Sequence, residues 1–311
     1  MIESVGDNGA LSDPEVALTA GTAWHYCRDD TAALDYLFID EAGQIALADA
    51  LGLATAAENV VLLGDPQQLP QVAQGRHPAG SSLSVLEHLL GDAQTIDPAH
   101  GIFLAETYRL HPDVCSFTSE LMYDGRLESA PGRERQCVDA DSELSGTGLR
   151  WLPVEHIGRS QSSREEAERI ATAIEPLLDG GTYTDADGQE HPMLPEDILV
   201  LTPYNAQVRV LEEHVPAGVR VGTVDKFQGQ QAQVAFFSMA TSSGEQIPRN
   251  VEFLFSRNRL NGAVSRARCL AVLVCSPQLL DIHANSIEQM RLVNALCRFV
   301  EIAGPPVGVP N

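Results

Sequence analysis

Two adjacent carboxylates, Asp40 and Glu41, are the residues whose types and spacing most clearly suggest chemistry. They directly follow an apolar run at residues 36–39, which is typical of a buried strand. In open α/β sheets ligands bind at the carboxyl ends of strands, so both acids are expected to face such a crevice. One carboxylate can hold Mg²⁺ while the other positions or deprotonates an attacking water. The pair therefore suits Mg²⁺-nucleotide chemistry.

Three further side chains could act on the same nucleotide. Gln68 lies in the stretch GDPQQ after a second predicted strand, where its amide could sense a phosphate. Arg109, in the stretch TYR, and Arg266, in SRAR, each offer a guanidinium. Two arginines that converge on one terminal phosphate would neutralise the charge that develops during phosphoryl transfer. Each of these groups follows a predicted strand or lies in an adjoining helix, where such sheets place ligands.

A second group of residues suits a single-stranded nucleic acid. Tyr204, in the stretch PYN, and Thr223 and Gln228, in TVDKFQG, offer aromatic, hydroxyl and amide groups. Such groups can follow a sugar-phosphate backbone and stack on its bases.

Composition limits the class of protein. The 311 residues suffice for one large or two ordinary domains. A net charge of -23 argues against a nonspecific nucleic-acid coat, but it is compatible with a local basic groove. No run of about 18 apolar residues occurs, so we expect no membrane span. The acidic start predicts no signal peptide, and six cysteines without a C-x-x-C pair predict a reduced, cytoplasmic protein.

The lysine content excludes one common phosphate-binding element. A phosphate loop of the form G-x-x-x-x-G-K-[ST] needs a lysine followed by Ser or Thr. Lys226 is the only lysine in the sequence, and Phe227 follows it. These 311 residues therefore contain no such loop.

Strand and helix patterns alternate along the chain, which predicts parallel α/β sheets. Predicted strands lie at residues 16–19, 36–39, 60–63, 149–154, 198–201, 219–224, 234–239 and 270–275. Predicted helices lie at residues 45–54, 84–90, 114–122, 164–178, 259–266 and 286–300, with another that ends at residue 214. Residues 180–191 resemble a hairpin, residues 70–81 a loop, and residues 128–148 an exposed connection.

In their order, these motifs resemble those of superfamily 1 helicases. The closest group includes the nonsense-mediated-decay helicase and the Okazaki-fragment nuclease-helicase. More narrowly, the chain looks like the helicase end of bacterial proteins that fuse a RecB-like nuclease to such a helicase. The matching stretches are DEAGQ at 40–44 (motif II), GDPQQL at 64–69 (motif III), TYRLHP at 107–112 (the arginine motif), VDKFQGQ at 224–230 (motif V) and NGAVSRAR at 261–268 (motif VI).

The resemblance implies an α/β fold with two RecA-like P-loop NTPase-type parallel-sheet domains, of which the first is incomplete. The implied organisation is a flexible leader at 1–13, the incomplete first domain at 14–105, the second domain at 106–303 and a tail at 304–311.

The resemblance also implies a role for each matched residue. ATP and Mg²⁺ are the implied cofactors, and single-stranded DNA or RNA is the implied partner. Asp40 would hold Mg²⁺, Glu41 would be the catalytic base, and Gln68 would read the terminal phosphate. Arg109 and Arg266 would be paired arginine fingers. Further implied contacts are Gly229 and Gln231 to the nucleotide, and Thr22, Tyr204, Thr223 and Gln228 to the nucleic acid. Gln231 stands where the family usually has a glutamate, which weakens one contact to the sugar.

Two functions follow as hypotheses. In the first, the chain is the motor part of an ATP-dependent helicase that translocates on single-stranded DNA or RNA. An upstream segment with a nuclease or a phosphate loop, in the same or a neighbouring polypeptide, would complete it. In the second, the chain is a non-catalytic remnant, or half of a split helicase, that binds nucleic acid or protein. Another P-loop phosphotransferase is disfavoured, because arginine motifs in two successive α/β units imply closure over a nucleotide.

Overall fold

The structure is a computed structural model that describes residues 16–28, 33–69, 83–91, 93–248 and 251–305. The chain divides into two compact units, residues 1–93 and 94–311. The predicted leader, the predicted loop at 70–81 and the end of the tail lie outside the described residues. The predicted domain bounds, with a boundary after residue 105, stay a prediction.

The described part of the first unit is a two-stranded parallel sheet with three helices. Its elements are α1 (Ala23–Tyr26), β1 (Leu34–Ile39), α2 (Leu47–Ala54), β2 (Ala57–Leu62) and α3 (Val85–Leu90). The strand predicted at residues 16–19 is wrong, since these residues form no regular structure. Leu18 is 86% exposed, so no packing holds that segment extended.

Alternation along β1 gives the small sheet two different faces. Leu37 and Ile39 are buried in a core with α2 and α3. Tyr36 and Phe38 point to the opposite face, because successive side chains of a strand alternate. They are 60% and 61% exposed, although parallel sheets are normally covered on both faces.

The second unit is built on a five-stranded parallel sheet in the order β10-β9-β11-β12-β6. The continuous apolar runs at 198–201, 234–237 and 270–275 form its central strands, which are buried on both faces. The sheet strands are β6 (Gly148–Pro153), β9 (Ile198–Thr202), β10 (Arg220–Thr223), β11 (Ala232–Ser238) and β12 (Ala267–Cys275).

Helices of the second unit cover both faces of this sheet. Helices α5 and α6 cover one face, and α4, α8 and α9 cover the other. Their bounds are α4 (Pro112–Met122), α5 (Arg164–Leu178), α6 (Asn205–His214), α7 (Val251–Leu254), α8 (Arg257–Val264) and α9 (Ile287–Ala303). The prediction of parallel α/β sheets is confirmed. The helix predicted at 259–266 is shifted, because α8 ends at Val264 and Arg266 lies beyond it.

The predicted exposed connection at 128–148 is wrong. Its short strands join two small sheets, and Val138 and Leu144 are fully buried. The strands of these sheets are β3 (Glu106–Thr107), β4 (Glu128–Ser129), β5 (Cys137–Asp139), β7 (Thr182–Thr184) and β8 (Glu190–Pro192). The antiparallel pairing of β7 with β8 confirms the hairpin predicted at 180–191.

In the described part of the chain, no helix is both long enough and apolar enough to cross a membrane.

Candidate active site and nucleic-acid interface

The two acids lie where the sequence predicted them, at the carboxyl end of β1. Both side chains are exposed. The backbone N–H of Glu41 donates to Asp40 Oδ1 at 2.9 Å. Glu41 adopts a left-handed backbone with φ of 52°, which is uncommon outside glycine. Gln44 Nε2 lies 3.4 Å from Glu41 Oε2. Each carboxylate is therefore oriented by its neighbours while it stays open to solvent.

The GDPQQ stretch packs directly against these acids. The N–H of Ala42 donates to the carbonyl of Leu63 at 2.8 Å, which ties the end of β1 to the end of β2. A Cβ on Gly43 would lie only 2.7 Å from the carbonyl oxygen of Asp65, so only glycine fits there. The N–H of Gln68 reaches the carbonyl of Asp65 at 3.3 Å. The structure thus brings Asp40, Glu41 and Gln68 to the carboxyl ends of two neighbouring strands.

The exposed carboxylate of Asp40 is a group that could bind Mg²⁺. Mg²⁺ prefers oxygen ligands and usually keeps several waters, being held by one or two carboxylates together with substrate phosphates. Among the described residues, no group of three or more His, Cys, Asp or Glu side chains could hold a metal ion. An Mg²⁺ ion at Asp40 would take its other ligands from water and phosphate oxygens.

In the second unit, Arg109 is held at the amino end of the sheet. Its Nε donates to Gln231 Oε1 and its Nη1 to the carbonyl of Ser265, each at 3.0 Å. Burial, and to a smaller extent the nearby charge of Arg268, lowers the pKa of Arg109 from its usual value. Gln231 contacts Arg109 in this structure, and its predicted contact to the nucleotide stays a prediction.

Arg266 lies beside this group. Arg266 directly precedes β12, and only 2% of its surface is exposed. Its carbonyl accepts a hydrogen bond from the N–H of Ala232 at 2.9 Å. Arg109, Gln231 and Arg266 therefore share the amino ends of β11 and β12. This differs from the expectation for the arginines, since open α/β sheets place ligands at the carboxyl ends of strands.

The predicted nucleic-acid residues lie at the other end of this sheet. Thr223 ends β10, and it is paired with Thr202 at the end of β9. Tyr204 follows two residues later, but it is only 5% exposed, and its ring centroid lies 5.8 Å from that of Phe253. In this arrangement its face is not open for a base to stack. Gln228 is half-buried in the loop that leads back to the amino end of the sheet.

Two predicted residues stand apart from these groups. Thr22, in the first unit, is exposed at the start of α1, and its Oγ1 lies 3.1 Å from His25 Nδ1. Gly229 is exposed in the loop before β11 with φ of +76°, and a Cβ there would meet no atom within 4 Å. A side chain would still be strained at that backbone conformation.

One residue near Arg109 was missed by the sequence reasoning. Gln136 is 3% exposed, and its Nε2 donates to the carbonyls of Arg109 at 3.0 Å and of Arg268 at 3.3 Å. It ties the arginine motif to the start of β12. Nothing in the sequence marked it, because it lies in the segment that was taken for an exposed connection.

A protein-family model described as an AAA domain matches residues 82–278, which is well over half of the chain. The chain belongs to this family. The resemblance to superfamily 1 helicases is confirmed, since curated relatives that match most of the chain carry helicase names.

Curated relatives match along most of the chain. The helicase sen1 of Schizosaccharomyces pombe is 26% identical over 280 residues, covering 85% of this chain and 16% of the relative. The DNA replication ATP-dependent helicase/nuclease dna2 of the same organism is 26% identical over 310 residues, covering 93% and 21%. The DNA-binding protein SMUBP-2 of Rattus norvegicus is 28% identical over 270 residues, covering 80% and 26%. The chain thus spans less than a third of the length of these relatives.

Among solved structures, an arterivirus nonstructural protein 10 helicase in complex with DNA matches 86% of this chain and 43% of its own. The sequence identity is 16% and the TM-score is 0.41.

Proposed function

We propose that this chain is the motor part of an ATP-dependent superfamily 1 helicase that couples ATP hydrolysis to movement along single-stranded DNA or RNA. The observation that carries the proposal is the pair Asp40 and Glu41, exposed at the carboxyl end of β1 and packed against the GDPQQ stretch. The helicase relatives support it. The six cysteines are free, which suits a reducing compartment such as the cytoplasm.

In the proposed reaction the two acids have different roles. Asp40 would hold Mg²⁺, which would supply positive charge to the phosphate oxygens of ATP. Glu41 accepts a proton from the attacking water, which its exposed carboxylate can reach from solvent. Gln68 donates from its amide to the terminal phosphate.

The arginines of the second unit would supply positive charge to a phosphate. Arg109 donates hydrogen bonds through Nε and Nη1, so the remaining N–H groups of its guanidinium could donate to a phosphate oxygen. Because Gln231 is neutral, it orients Arg109 without cancelling its charge. Arg266 supplies the second positive charge, as the resemblance implies.

The nucleic acid would pass the carboxyl ends of the strands in the five-stranded sheet of the second unit. Thr223 and the turn after β9 offer a hydroxyl and backbone groups there. This separates the arginine end of the unit from the strand-binding end by the length of the sheet. The proposal of direct stacking on Tyr204 requires the ring of Phe253 to move away first.

A further segment is needed to position ATP. The sequence has no phosphate loop, whose backbone N–H groups and lysine would cradle the phosphates. We propose that it comes from a nuclease or phosphate-loop segment of the same or a neighbouring polypeptide. The exposed aromatic face of β1, formed by Tyr36 and Phe38, supports this, since it offers an uncovered sheet surface in the first unit. The alternative is a non-catalytic module that binds nucleic acid without turnover.

Strand binding can be tested with Thr223→Val, which removes the hydroxyl and keeps the shape. Fluorescence anisotropy with labelled single-stranded DNA and RNA should show about tenfold weaker binding, as for the loss of one hydrogen bond to a phosphate. Thr184→Val, on strand β7, is the matched control and should leave binding unchanged. Failure of the unmodified chain to bind either strand, or equal losses in both variants, would contradict the proposed interface.

A further inference from the structure

A second concave site lies between α4 and α9, among residues to which no role has been assigned above. The pocket has a volume of about 460 Å³. Its floor is apolar, with Phe117, Leu121 and Ala295. Its polar lining consists of the arginines Arg257, Arg291 and Arg298, the amides Gln94 and Asn294, and one acid, Glu120.

The acid is already used by one of the three arginines. Arg298 Nε and Nη2 donate to the two oxygens of Glu120 at 2.9 and 3.0 Å. Arg298 Nη1 also donates to Glu301 at 2.9 Å. This bidentate pair lowers the pKa of Glu120. Neither Arg298 nor Glu120 is therefore open to a ligand in the way that the other two arginines are.

Arg257 and Arg291 carry positive charge that no acid balances. Within the described ranges, neither forms an ion pair with a carboxylate. Arg257 donates to the carbonyl of Leu121, and its buried Nε has no hydrogen-bond partner there. Arg291 is exposed at the rim. Arg257 and Arg291 line the same pocket, and burial, followed by the charge of Arg291, lowers the pKa of Arg257.

We propose that this pocket binds phosphate groups, which Arg257 and Arg291 hold together. An anion between two guanidiniums offsets their repulsion. It also accepts hydrogen bonds from N–H groups that have no partner among the described residues, such as the Nε of Arg257. The amide of Asn294 adds a neutral donor at the rim. Uncompensated arginines in one pocket are unusual in a chain whose net charge is -23, since acids are abundant elsewhere on it.

The size of the pocket favours a phosphate-bearing molecule over a bare ion. Its volume falls in the range of small-molecule sites, about 300 to 1,000 Å³. The phosphate groups could belong to a nucleotide, to inorganic pyrophosphate or to the end of a nucleic-acid strand. The site does not depend on the proposed ATP chemistry, because none of its residues belongs to that machinery.

Isothermal titration of the full chain with inorganic pyrophosphate tests the site. Arg291→Gln removes one charge from an exposed position on α9 and should weaken binding about tenfold. Arg257→Gln should weaken it by at least as much. Arg209→Gln, an exposed arginine on α6 across the sheet, makes the same charge change and should leave the affinity within about twofold. Circular dichroism of each variant would show that the fold is retained.

Two further probes identify the source of the phosphate. A single-stranded oligonucleotide with a 5′-phosphate should bind more tightly than the same strand with a 5′-hydroxyl if the site takes a strand end, and this difference should vanish in Arg291→Gln. Equal binding of both strands, with pyrophosphate still sensitive to Arg291, would assign the site to small phosphates. The proposal is overturned if pyrophosphate does not bind below about 10 mM. It is also overturned if Arg209→Gln weakens binding as much as Arg291→Gln, or if polyglutamate competes as well as pyrophosphate does.

Discussion

Replacing Glu166 by alanine should destabilise the second unit more than any other single change to a carboxylate that we describe. Glu166 lies in α5 and is fully buried. Its Oε1 lies 3.0 Å from His156 Nε2, and its Oε2 accepts from the hydroxyl of Ser238 at 2.6 Å and from the N–H of Ala240 at 2.9 Å. Alanine would leave all three partners buried without an acceptor.

The expected cost follows from these contacts. Leaving one buried polar group unsatisfied costs about 1 to 3 kcal/mol, and the substitution leaves three such groups. These terms are not additive, so we expect about 4 kcal/mol. For a unit of this size, each kcal/mol lowers the midpoint of thermal unfolding by about 2 to 4 °C. The midpoint should therefore fall by about 8 to 16 °C.

The neighbouring residue provides the control. Glu165 lies one position earlier in the same helix, but it pairs with Arg159 at the surface, where such pairs contribute about 0 to 1 kcal/mol. Thermal and urea unfolding of Glu165→Ala and Glu166→Ala, followed by circular dichroism, compare the two. Equal destabilisation, or a loss below about 1 kcal/mol for Glu166→Ala, would refute the reasoning from burial.

Three other outcomes are expected. Gly43→Ala should destabilise the first unit by about 1 to 3 kcal/mol, since its Cβ would meet the carbonyl of Asp65. Gly52→Ala in α2 should stabilise the unit slightly. Hydrogen exchange of β1 would measure both effects, and equal effects would contradict this account of the packing at Gly43. A maleimide at pH 8 should label exposed Cys27 first and spare Cys269, whose pKa burial raises to about 12, and mass spectrometry would show any labelling in the wrong order. Because its pKa is about 9 in the unfolded chain and about 12 in the folded one, the Cys269 thiol stabilises the fold fully below pH 9 and progressively less up to pH 12. The unfolding midpoint should therefore fall more over this pH range in the parent than in Cys269→Ala. An equal fall in both proteins would contradict this prediction.

The sequence predicted the elements whose patterns are local. The runs at 198–201 and 270–275 are long, apolar and rich in β-branched residues, so their strands followed directly. The short strands of the segment at 128–148 have too few residues to show a period, and their burial depends on partners far along the chain. The burial of Val138 could therefore not be predicted from its neighbours.

For the candidate site, the sequence indicated the position of the two acids, whereas their roles stay a prediction. The motifs located Asp40 and Glu41 at a strand end, because the apolar run and the acids are adjacent in sequence. The contact between Arg109 and Gln231 joins residues that are 122 positions apart, so no local pattern could indicate it. For the same reason nothing in the sequence separated buried Glu166 from half-buried Glu165. Only the packing of α5 on the sheet distinguishes them.

The ATPase rate of the purified chain, with Mg²⁺ and single-stranded nucleic acid, tests the central claim most directly. We expect very slow turnover by the 311-residue chain alone, because its sequence contains no G-x-x-x-x-G-K-[ST] loop to cradle the phosphates. Each lost factor of ten in rate corresponds to about 1.4 kcal/mol of barrier. Adding an upstream fragment that bears a phosphate loop should restore turnover, and Glu41→Gln should abolish the restored activity. Robust turnover of the chain alone that Glu41→Gln abolishes would contradict the claim that a phosphate loop must be supplied. Restored turnover that survives Glu41→Gln would contradict the assignment of the catalytic base.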